Sequence, residues 1–172
     1  MTGVAISNLK HYVKGVRMIK ITPLSKKDLE AAISLVEKIF PDKEDRKIAR
    51  INLEESLLLK NFGQRYWVVV GDSAKLAGVT GLYLDARDRD VIWLGWFGVH
   101  PAYRRRGIGS SLLEFTIKEA KRKEFKTMKI YTSTDKHERA AHRLYESRGF
   151  RKINSCVVAE DIYYRLIVSA CG

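Results

Sequence analysis

A nearly continuous apolar run, residues 91–99, leads into a turn rich in arginine and glycine, residues 103–109, and from there into an amphipathic helix. An apolar run without alternation is typical of a strand that is covered on both faces. The glycines at 107 and 109 permit tight turns and let a ligand approach the main chain closely. Free N–H groups at a helix start bind phosphate, and arginines add bidentate donors. This order of strand, turn and helix therefore predicts a diphosphate-binding site.

Two common phosphate-binding motifs do not fit this turn. The nucleotide-binding GxxxxGK[ST] loop needs a lysine followed by serine or threonine, and the turn has no such pair. The dinucleotide-binding GxGxxG pattern needs a third glycine at the position of Leu112. The predicted site therefore belongs to another kind of anion-binding loop.

The basic residues are concentrated in the same part of the chain. Lys and Arg number 32 against 20 Asp and Glu, and the net charge is +12. Residues 101–152 hold 15 basic and six acidic residues, so +9 of that charge falls within this third of the sequence. Such a surplus favours an anionic partner, which could be a nucleic acid, a membrane surface or a phosphorylated ligand.

Composition excludes several classes of protein. Of the 172 residues, 45% are apolar and 10% aromatic, enough to bury a core, so the chain is not intrinsically disordered. No apolar run reaches the roughly 18–20 residues that span a bilayer, and we expect no membrane partner. Cys156 and Cys171 have neither a disulfide framework nor metal-ligand spacing. We therefore expect a cytoplasmic protein with reduced thiols.

The remaining pattern predicts one mixed α/β domain, residues 18–172, after an N-terminal extension, residues 1–17. The extension has mixed composition and no clear periodicity, and we expect it to be mobile and dispensable. Residues 65–99 predict three strands of an antiparallel meander. The predicted strands are 18–23, 65–70, 75–84, 91–99, 127–132, 150–156 and 160–168, and the predicted helices are 26–40 with Ser25 as N-cap, 44–60, 107–122 and 137–148.

Two stretches of this domain resemble one family. Residues 104–109, Arg-Arg-Arg-Gly-Ile-Gly, fill every specified place of the pattern (Arg/Gln)-x-x-Gly-x-(Gly/Ala). Residues 141–150 fit Ala-x-x-Leu-Tyr-x-x-x-Gly-Phe. Both resemble the GNAT superfamily of acetyl-CoA-dependent N-acetyltransferases. The resemblance implies an α/β fold of the α+β type: a mixed, mostly antiparallel sheet of six to seven strands with four helices, splayed between strands 4 and 5.

The same resemblance implies a function and a set of site residues. It implies transfer of the acetyl group of acetyl-CoA, the cosubstrate, to a primary amine by direct attack in a ternary complex. Tyr145 would then donate a proton to the departing CoA thiolate. At the place of Glu138 the family commonly has an Asn that contacts the cofactor. Glu138 therefore departs from the family's pattern at a cofactor contact. The residues implied to bind acetyl-CoA are Phe97, Gly98, Val99, Arg104, Arg105, Arg106, Gly107, Ile108, Gly109, Ser110, Glu138 and Ala141.

The sequence does not identify the general base. Many relatives have an acidic residue on the strand before the turn, but residues 91–99 contain none. Candidates elsewhere in the chain are Asp42, Glu54, Glu55, His100 and Asp135. We expect no metal ion, because the histidines at 11, 137 and 142 lack ligand-like spacing.

The sequence leaves the acceptor and two other functions open. The possible acceptors are a protein lysine or N-terminus, a polyamine, an amino acid and an aminoglycoside. The sequence also does not decide whether the protein is a homodimer. A non-catalytic sensor would bind acyl-CoA without turnover, whereas a nucleic-acid-binding domain would explain only the charge. We expect Phe115, Phe125 and Tyr131 in the core, which argues against an aromatic nucleic-acid surface. An apolar or cation-binding acceptor wall could comprise Phe40, Tyr66, Trp93 and Trp96.

Overall fold

The computed structural model describes residues 10–13, 16–58, 65–70, 75–153 and 161–168, which form nine strands and four helices. The strands are β1 (Lys10–Val13), β2 (Val16–Pro23), β3 (Arg65–Val70), β4 (Leu76–Leu84), β5 (Val91–Leu94), β6 (Gly98–Val99), β7 (Thr127–Ser133), β8 (Arg151–Ile153) and β9 (Asp161–Ile167). The helices are α1 (Leu29–Ile39), α2 (Lys43–Leu58), α3 (Ile108–Arg122) and α4 (Arg139–Ser147).

The strands form one mixed sheet in the order β1-β2-β3-β4-β5-β7-β9-β8, with β6 beside β4. Among the described strand pairs, β5–β7 is parallel and the others are antiparallel. The predicted mostly antiparallel sheet with four helices is therefore confirmed, as is the meander of β3, β4 and β5. Element ends that lie within the described residues agree with the predicted ends to within two residues, except that α1 begins at Leu29, three residues after the predicted start, because residues 26–28 form a 3-10 turn.

The sheet opens between β5 and β7. These strands pair only over Val91–Trp93 and Thr127–Lys129. β6, which follows β5 in the chain, pairs with β4 instead, while β7 continues along β9 as far as Ser133. The two halves of the sheet thus diverge beyond Trp93, and the predicted splay between the fourth and fifth strands is confirmed.

The sheet has more strands than the predicted six to seven, for two reasons. First, β1 pairs with β2, which itself begins at Val16 rather than Met18. The sequence shows no periodicity there because an edge strand is held by backbone hydrogen bonds and needs no apolar face. Second, the predicted strand 91–99 is interrupted at residues 95–97 and becomes β5 and β6.

The interruption depends on Tyr66 of β3. Its ring occupies the space that a Cβ at Gly81 would take, with 2.2 Å to the nearest ring carbon. The ring also lies 3.1 Å from the position of a Cβ at Gly95. A backbone hydrogen bond joins Trp96 to the Tyr66 hydroxyl. A side chain from a strand two positions away in the sheet therefore shapes the segment between β5 and β6.

Helices cover both faces of the sheet. One apolar cluster joins α1 and α2 to Val68 of β3, and the other joins α3 and α4 to Trp67 and Val69. Neighbouring residues of a strand point to opposite faces, so the two helix pairs lie on opposite sides. In the α3 interface the Thr80 and Thr116 hydroxyls, both fully buried, hydrogen-bond at 2.8 Å.

One local expectation is confirmed in part and another is wrong. Ser25 is the N-cap residue of a 3-10 turn that precedes α1, but its hydroxyl hydrogen-bonds the Asp28 carboxylate rather than a backbone N–H. Phe115 is buried as predicted and Phe125 packs partly buried against the core, but Tyr131 is 54% exposed. Tyr131 lies on the face of β7 opposite to buried Ile130 and Thr132, and strand alternation explains its exposure.

Candidate active site

The turn after β6 is organised mainly by its own backbone. The His100 N–H donates to the Ala77 carbonyl of β4, and the Tyr103 N–H donates to the His100 carbonyl, each at 2.9 Å. Arg105 and Gly107 then have left-handed φ angles of 63° and 80°. Glycine adopts this conformation without steric cost, and Gly107 is the N-cap of α3. The predicted strand, turn and helix therefore follow one another as expected.

The start of α3 presents backbone N–H groups. Because its N-cap is glycine, no side chain from the described residues caps this end. The Ser111 N–H donates to the Gly107 carbonyl at 3.0 Å. The amides of Ile108, Gly109 and Ser110 precede that bond and lie at the positive end of the helix dipole. Such a helix start is suited to bind a phosphate group.

The three arginines of the turn have different local roles. Arg104 donates from Nε to the Val99 carbonyl at 3.1 Å, which ties the turn to β6. The guanidinium of Arg106 lies over the Tyr103 ring, 5.5 Å from its centroid. Arg105 is exposed to solvent. All three keep N–H groups beyond these contacts, so the turn retains donors and positive charge for an anion.

The start of α3, the helix α4 and the strand β6 converge at Gly109. A Cβ at this glycine would lie 3.6 Å from Leu144 of α4 and 3.6 Å from Val99 of β6. Gly98 lets α1 pack closely against β6, because a Cβ at this position would collide with Ile39 of α1. The structure therefore brings the predicted strand, turn and helix residues together at the splay.

Tyr145 lies in the same region, on α4. Its side chain is 5% exposed, and its ring centroid is 5.9 Å from that of Phe97, 6.1 Å from that of Phe150 and 5.8 Å from that of Tyr164. Among the described residues, its hydroxyl has no hydrogen-bond partner. Burial above all, and then the charge of Glu138, raises the pKa of Tyr145. The hydroxyl therefore keeps its proton at neutral pH.

Glu138 is the N-cap residue of α4 and is half-buried. Its Oε2 accepts the backbone N–H of Ser133, at the end of β7, at 3.2 Å. Burial is the main cause that raises the pKa of Glu138, and the Asp45 and Asp135 carboxylates raise it further against the lowering effect of the Ser133 bond. Asp45 belongs to α2, so an acidic residue from the first helix pair stands near the start of α4.

Comparison with known proteins agrees with this geometry. Residues 29–150 match the profile of the Acetyltransferase (GNAT) family. The chain belongs to this family. It is 34% identical over 92 residues to "Probable N-acetyltransferase 14" of Xenopus tropicalis, and the match covers 53% of this chain and 43% of that protein. The chain thus spans less than half the length of the curated relative that it matches.

Solved structures share the fold of this GNAT protein. An acetyltransferase of the GNAT family from Desulfovibrio desulfuricans has a TM-score of 0.78 at 21% identity, over 87% of this chain and 99% of that one. The ribosomal-protein-S18-alanine N-acetyltransferase of Escherichia coli has 0.69 at 24%, over 90% and 97%. The PaiA N-acetyltransferase of Thermoplasma acidophilum, solved with coenzyme A, has 0.70 at 18%, over 87% and 98%.

Most carboxylates that the sequence offers as a base have structural contacts in this GNAT domain. Asp42 accepts the N–H groups of Glu44 and Asp45 at the start of α2, at 2.8 and 3.1 Å. Glu54 lies 3.6 Å from Arg50. The remaining two, Glu55 and Asp135, are exposed, and Asp135 accepts the His137 N–H at 2.8 Å.

His100 also has a role within the turn. Its Nδ1 accepts the Ala102 N–H at 3.1 Å, and its ring contacts the Tyr103 ring edge-on at 5.7 Å. Partial burial first, and then the charges of Lys38 and Arg104, lower the pKa of His100. The imidazole is therefore neutral at pH 7, with Nδ1 as the acceptor.

The four aromatic residues of the predicted acceptor wall do not form one surface. Phe40 and Trp96 meet edge to face at 5.0 Å, between the end of α1 and the break before β6. Trp93 instead stacks on Tyr83 at 6.1 Å, and its indole N–H donates to Asp85 at 2.7 Å. Tyr66 is 4% exposed and belongs to the core. Phe40, Trp96 and the buried Tyr66 thus meet at the interrupted segment, whereas Trp93 does not belong to this group.

The structure describes the residues relevant to metal binding only in part, and it does not describe the cysteines. Across the described ranges, no group of three or more His, Cys, Asp or Glu side chains could hold a metal ion. His142 instead shares a 3.2 Å hydrogen bond with the Thr132 hydroxyl. Cys156 and Cys171 lie outside the described residues, as does the side chain of His11.

Sequence reasoning missed two features of the site. It gave Asp45 no role, because nothing in the sequence shows that α2 brings this residue near Glu138. It also missed the contact between Phe97 and Tyr145, which are 48 positions apart in the chain. The aromatic character of both positions was the only available signal.

Proposed function

We propose that this protein transfers the acetyl group of acetyl-CoA to a primary amine, which attacks the thioester directly in a ternary complex. The observation that carries the proposal is the Tyr145 hydroxyl, which is buried beside Phe97 where the sheet splays and has no hydrogen-bond partner among the described residues. A site that bound acyl-CoA only as a sensor would have no use for a buried proton donor there. The uncapped start of α3 supports the same function, because it suits a diphosphate.

The cosubstrate site follows from these contacts. The amides of Ile108, Gly109 and Ser110, with Gly107 and the three arginines of residues 104–106, bind the pyrophosphate. The backbone of residues 97–99 faces the splay and holds the pantetheine arm and the acetyl carbonyl. Ala141, on α4, leaves room for the cosubstrate beside that arm. Glu138 lies at the N-terminal end of the same helix, seven residues before Tyr145.

The chemistry requires mainly positioning. The amine nitrogen forms a bond to the acetyl carbon, and backbone N–H groups at the splay stabilise the negative charge on the oxygen. The C–S bond then breaks, and its electron pair stays on sulfur. The nitrogen loses its extra proton, Tyr145 donates its own proton to the thiolate, and Tyr145 regains one from solvent.

The acceptor is a primary amine of a small molecule or of a protein. The Escherichia coli neighbour acts, by its name, on an alanine of ribosomal protein S18, and a protein N-terminus is one such amine.

We place the reaction in the cytoplasm because the cysteine usage of the sequence is typical of a protein with reduced thiols. In the described part of the chain, no helix combines the length and apolarity needed to cross a membrane.

The test is acetyl transfer from acetyl-CoA to a panel of amines. The panel contains peptides with free N-termini, lysine peptides, polyamines, amino acids and an aminoglycoside. We expect release of free CoA thiol and a mass increase of one acetyl group on at least one class. Tight binding of acetyl-CoA without turnover on any amine would overturn the enzyme proposal in favour of a sensor.

A further inference from the structure

Glu138 and Tyr145 share one face of α4. They are seven residues apart, which is about two helical turns, so their side chains project in the same direction. Tyr145 contacts Phe97 at the splay. The Glu138 carboxylate is fixed by the Ser133 N–H at the end of β7, the strand that leaves β5 at the splay. Two independent contacts therefore direct this face of α4 towards the opening of the sheet.

We propose that Glu138 is the carboxylate that takes the proton from the acceptor amine. The inference rests on the acetyl transfer proposed above and adds the residue that the sequence does not identify. The family commonly has Asn at this place, and an amide cannot take a proton from an ammonium group. This chain thus has a carboxylate, which can accept a proton, at a position where the family has an amide that contacts the cosubstrate.

The surroundings of Glu138 suit a base. Among the described residues, the charged groups that influence its pKa are Asp45 from α2 and Asp135 from the segment between β7 and α4, and both are acidic. Tyr145 faces it from its own helix, and Ser133 from β7. Excess negative charge attracts an ammonium group. Burial and these two acids also raise the pKa of Glu138. The gap between the pKa of the carboxyl group and that of the acceptor amine is therefore smaller, which makes proton transfer between them easier.

The proton balance is complete with these residues. The ammonium R–NH3+ gives one proton to the Glu138 carboxylate, and the nitrogen lone pair then forms the bond to the acetyl carbon. The C–S bond breaks, the nitrogen loses a second proton to solvent, and Tyr145 protonates the sulfur. Glu138 releases its proton to solvent, and Tyr145 regains one. The products are the acetylated amine, CoA thiol and one proton.

The test compares Glu138→Gln and Glu138→Asn with the parent protein. The glutamine oxygen can still accept the Ser133 N–H, and asparagine restores the residue common in the family. We expect kcat/KM to fall by roughly 10²–10⁴-fold in both variants. Activity of the parent falls as pH drops through the raised pKa of Glu138, and both variants lack this acidic limb. Calorimetry with acetyl-CoA should give undiminished affinity.

Two further variants sharpen the test. Asp45→Asn removes a charge that raises the pKa of Glu138, so the acidic limb should move to lower pH while the plateau rate changes little. Glu114→Gln is the matched control, since it removes an exposed carboxylate paired only with Lys118 on α3. It should leave both rate and pH profile unchanged. An NMR titration of the carboxyl carbons should show the Glu138 midpoint above the ordinary glutamate range.

The outcomes separate the two proposals. If the parent protein transfers acetyl groups, but both Glu138 variants keep its rate and acidic limb, the assignment of Glu138 is wrong and the proposed function stands. If Glu138→Asn loses activity together with acetyl-CoA affinity, Glu138 serves the cosubstrate and the assignment is again wrong. If the parent transfers nothing to any amine, the proposed function itself fails.

Discussion

The ring centroid of Tyr145 on α4 lies 5.9 Å from the ring centroid of Phe97, a residue in the break between β5 and β6. This contact connects α4, which carries the proposed proton donor, to the segment at which the sheet opens. Because both rings also belong to or pack against the main core, and no described residue hydrogen-bonds the hydroxyl, tertiary packing sets the position of the hydroxyl within the described part of the chain.

Removal of the Tyr145 hydroxyl tests the proton donor. In Tyr145→Phe the ring contacts persist, and we expect the melting temperature and acetyl-CoA affinity to stay unchanged. The kcat should fall by roughly 10²–10⁴-fold, towards the lower end because a CoA thiolate is already a fair leaving group. Tyr164→Phe is the matched control: its hydroxyl donates to Glu146 at 3.1 Å, so this change should affect stability but not kcat. Equal kcat in parent and Tyr145→Phe would make Tyr145 a packing residue.

Substitutions at Gly109 test the diphosphate site. An alanine Cβ would make only ordinary contacts of 3.6 Å, so Gly109→Ala should fold and bind acetyl-CoA. Gly109→Glu puts a like charge at the phosphate position and should weaken acetyl-CoA binding about 100-fold in calorimetry. Gly107→Glu is a poorer test, since φ is 80° there and any side chain strains the turn. Full affinity in a folded Gly109→Glu variant would contradict the site.

The buried pair Thr80 and Thr116 permits a stability prediction. Thr116 donates to the Leu112 carbonyl at 2.7 Å, so Thr80 must be the donor in the bond between the two hydroxyls. Thr116→Val therefore leaves a buried donor without an acceptor and should cost about 1–3 kcal/mol in the free energy of unfolding. Thr80→Val should cost less, about 1 kcal/mol. The double variant should lose less than the sum in urea unfolding; additive losses would show that the bond contributes nothing.

Residues 1–17 are proposed to lie outside the domain needed for acetyl transfer. In a chain that begins at Met18, β2 keeps its pairing with β3 and loses only the edge strand β1 and its own first two residues. We expect its melting temperature to stay within a few degrees of that of the full chain, with acetyl transfer intact. A chain that begins at Lys20 also loses Ile19, which is fully buried, and should melt far lower. A large drop already at Met18 would show that the first strand stabilises the sheet.

Local patterns of the sequence determined most elements, including the turn that is proposed to bind the diphosphate. The run of residues 91–99, the glycines at 107 and 109 and the helix after them act over a few neighbouring residues, so the residue types alone predict them. The same holds for the meander of residues 65–99. Resemblance to a family then added the splay, which the structure confirms, and the role of Tyr145, which stays a prediction; no local pattern contains either.

Only the tertiary structure decided where the strand breaks and what surrounds Glu138. The break at residues 95–97 follows from Tyr66 on another strand, and the acidic surroundings of Glu138 follow from Asp45 on α2. Tyr131 is exposed because it lies on the face of β7 opposite to the buried Ile130 and Thr132. Each of these results comes from contacts between residues far apart in the chain, whose energies depend on packing and charge in three dimensions.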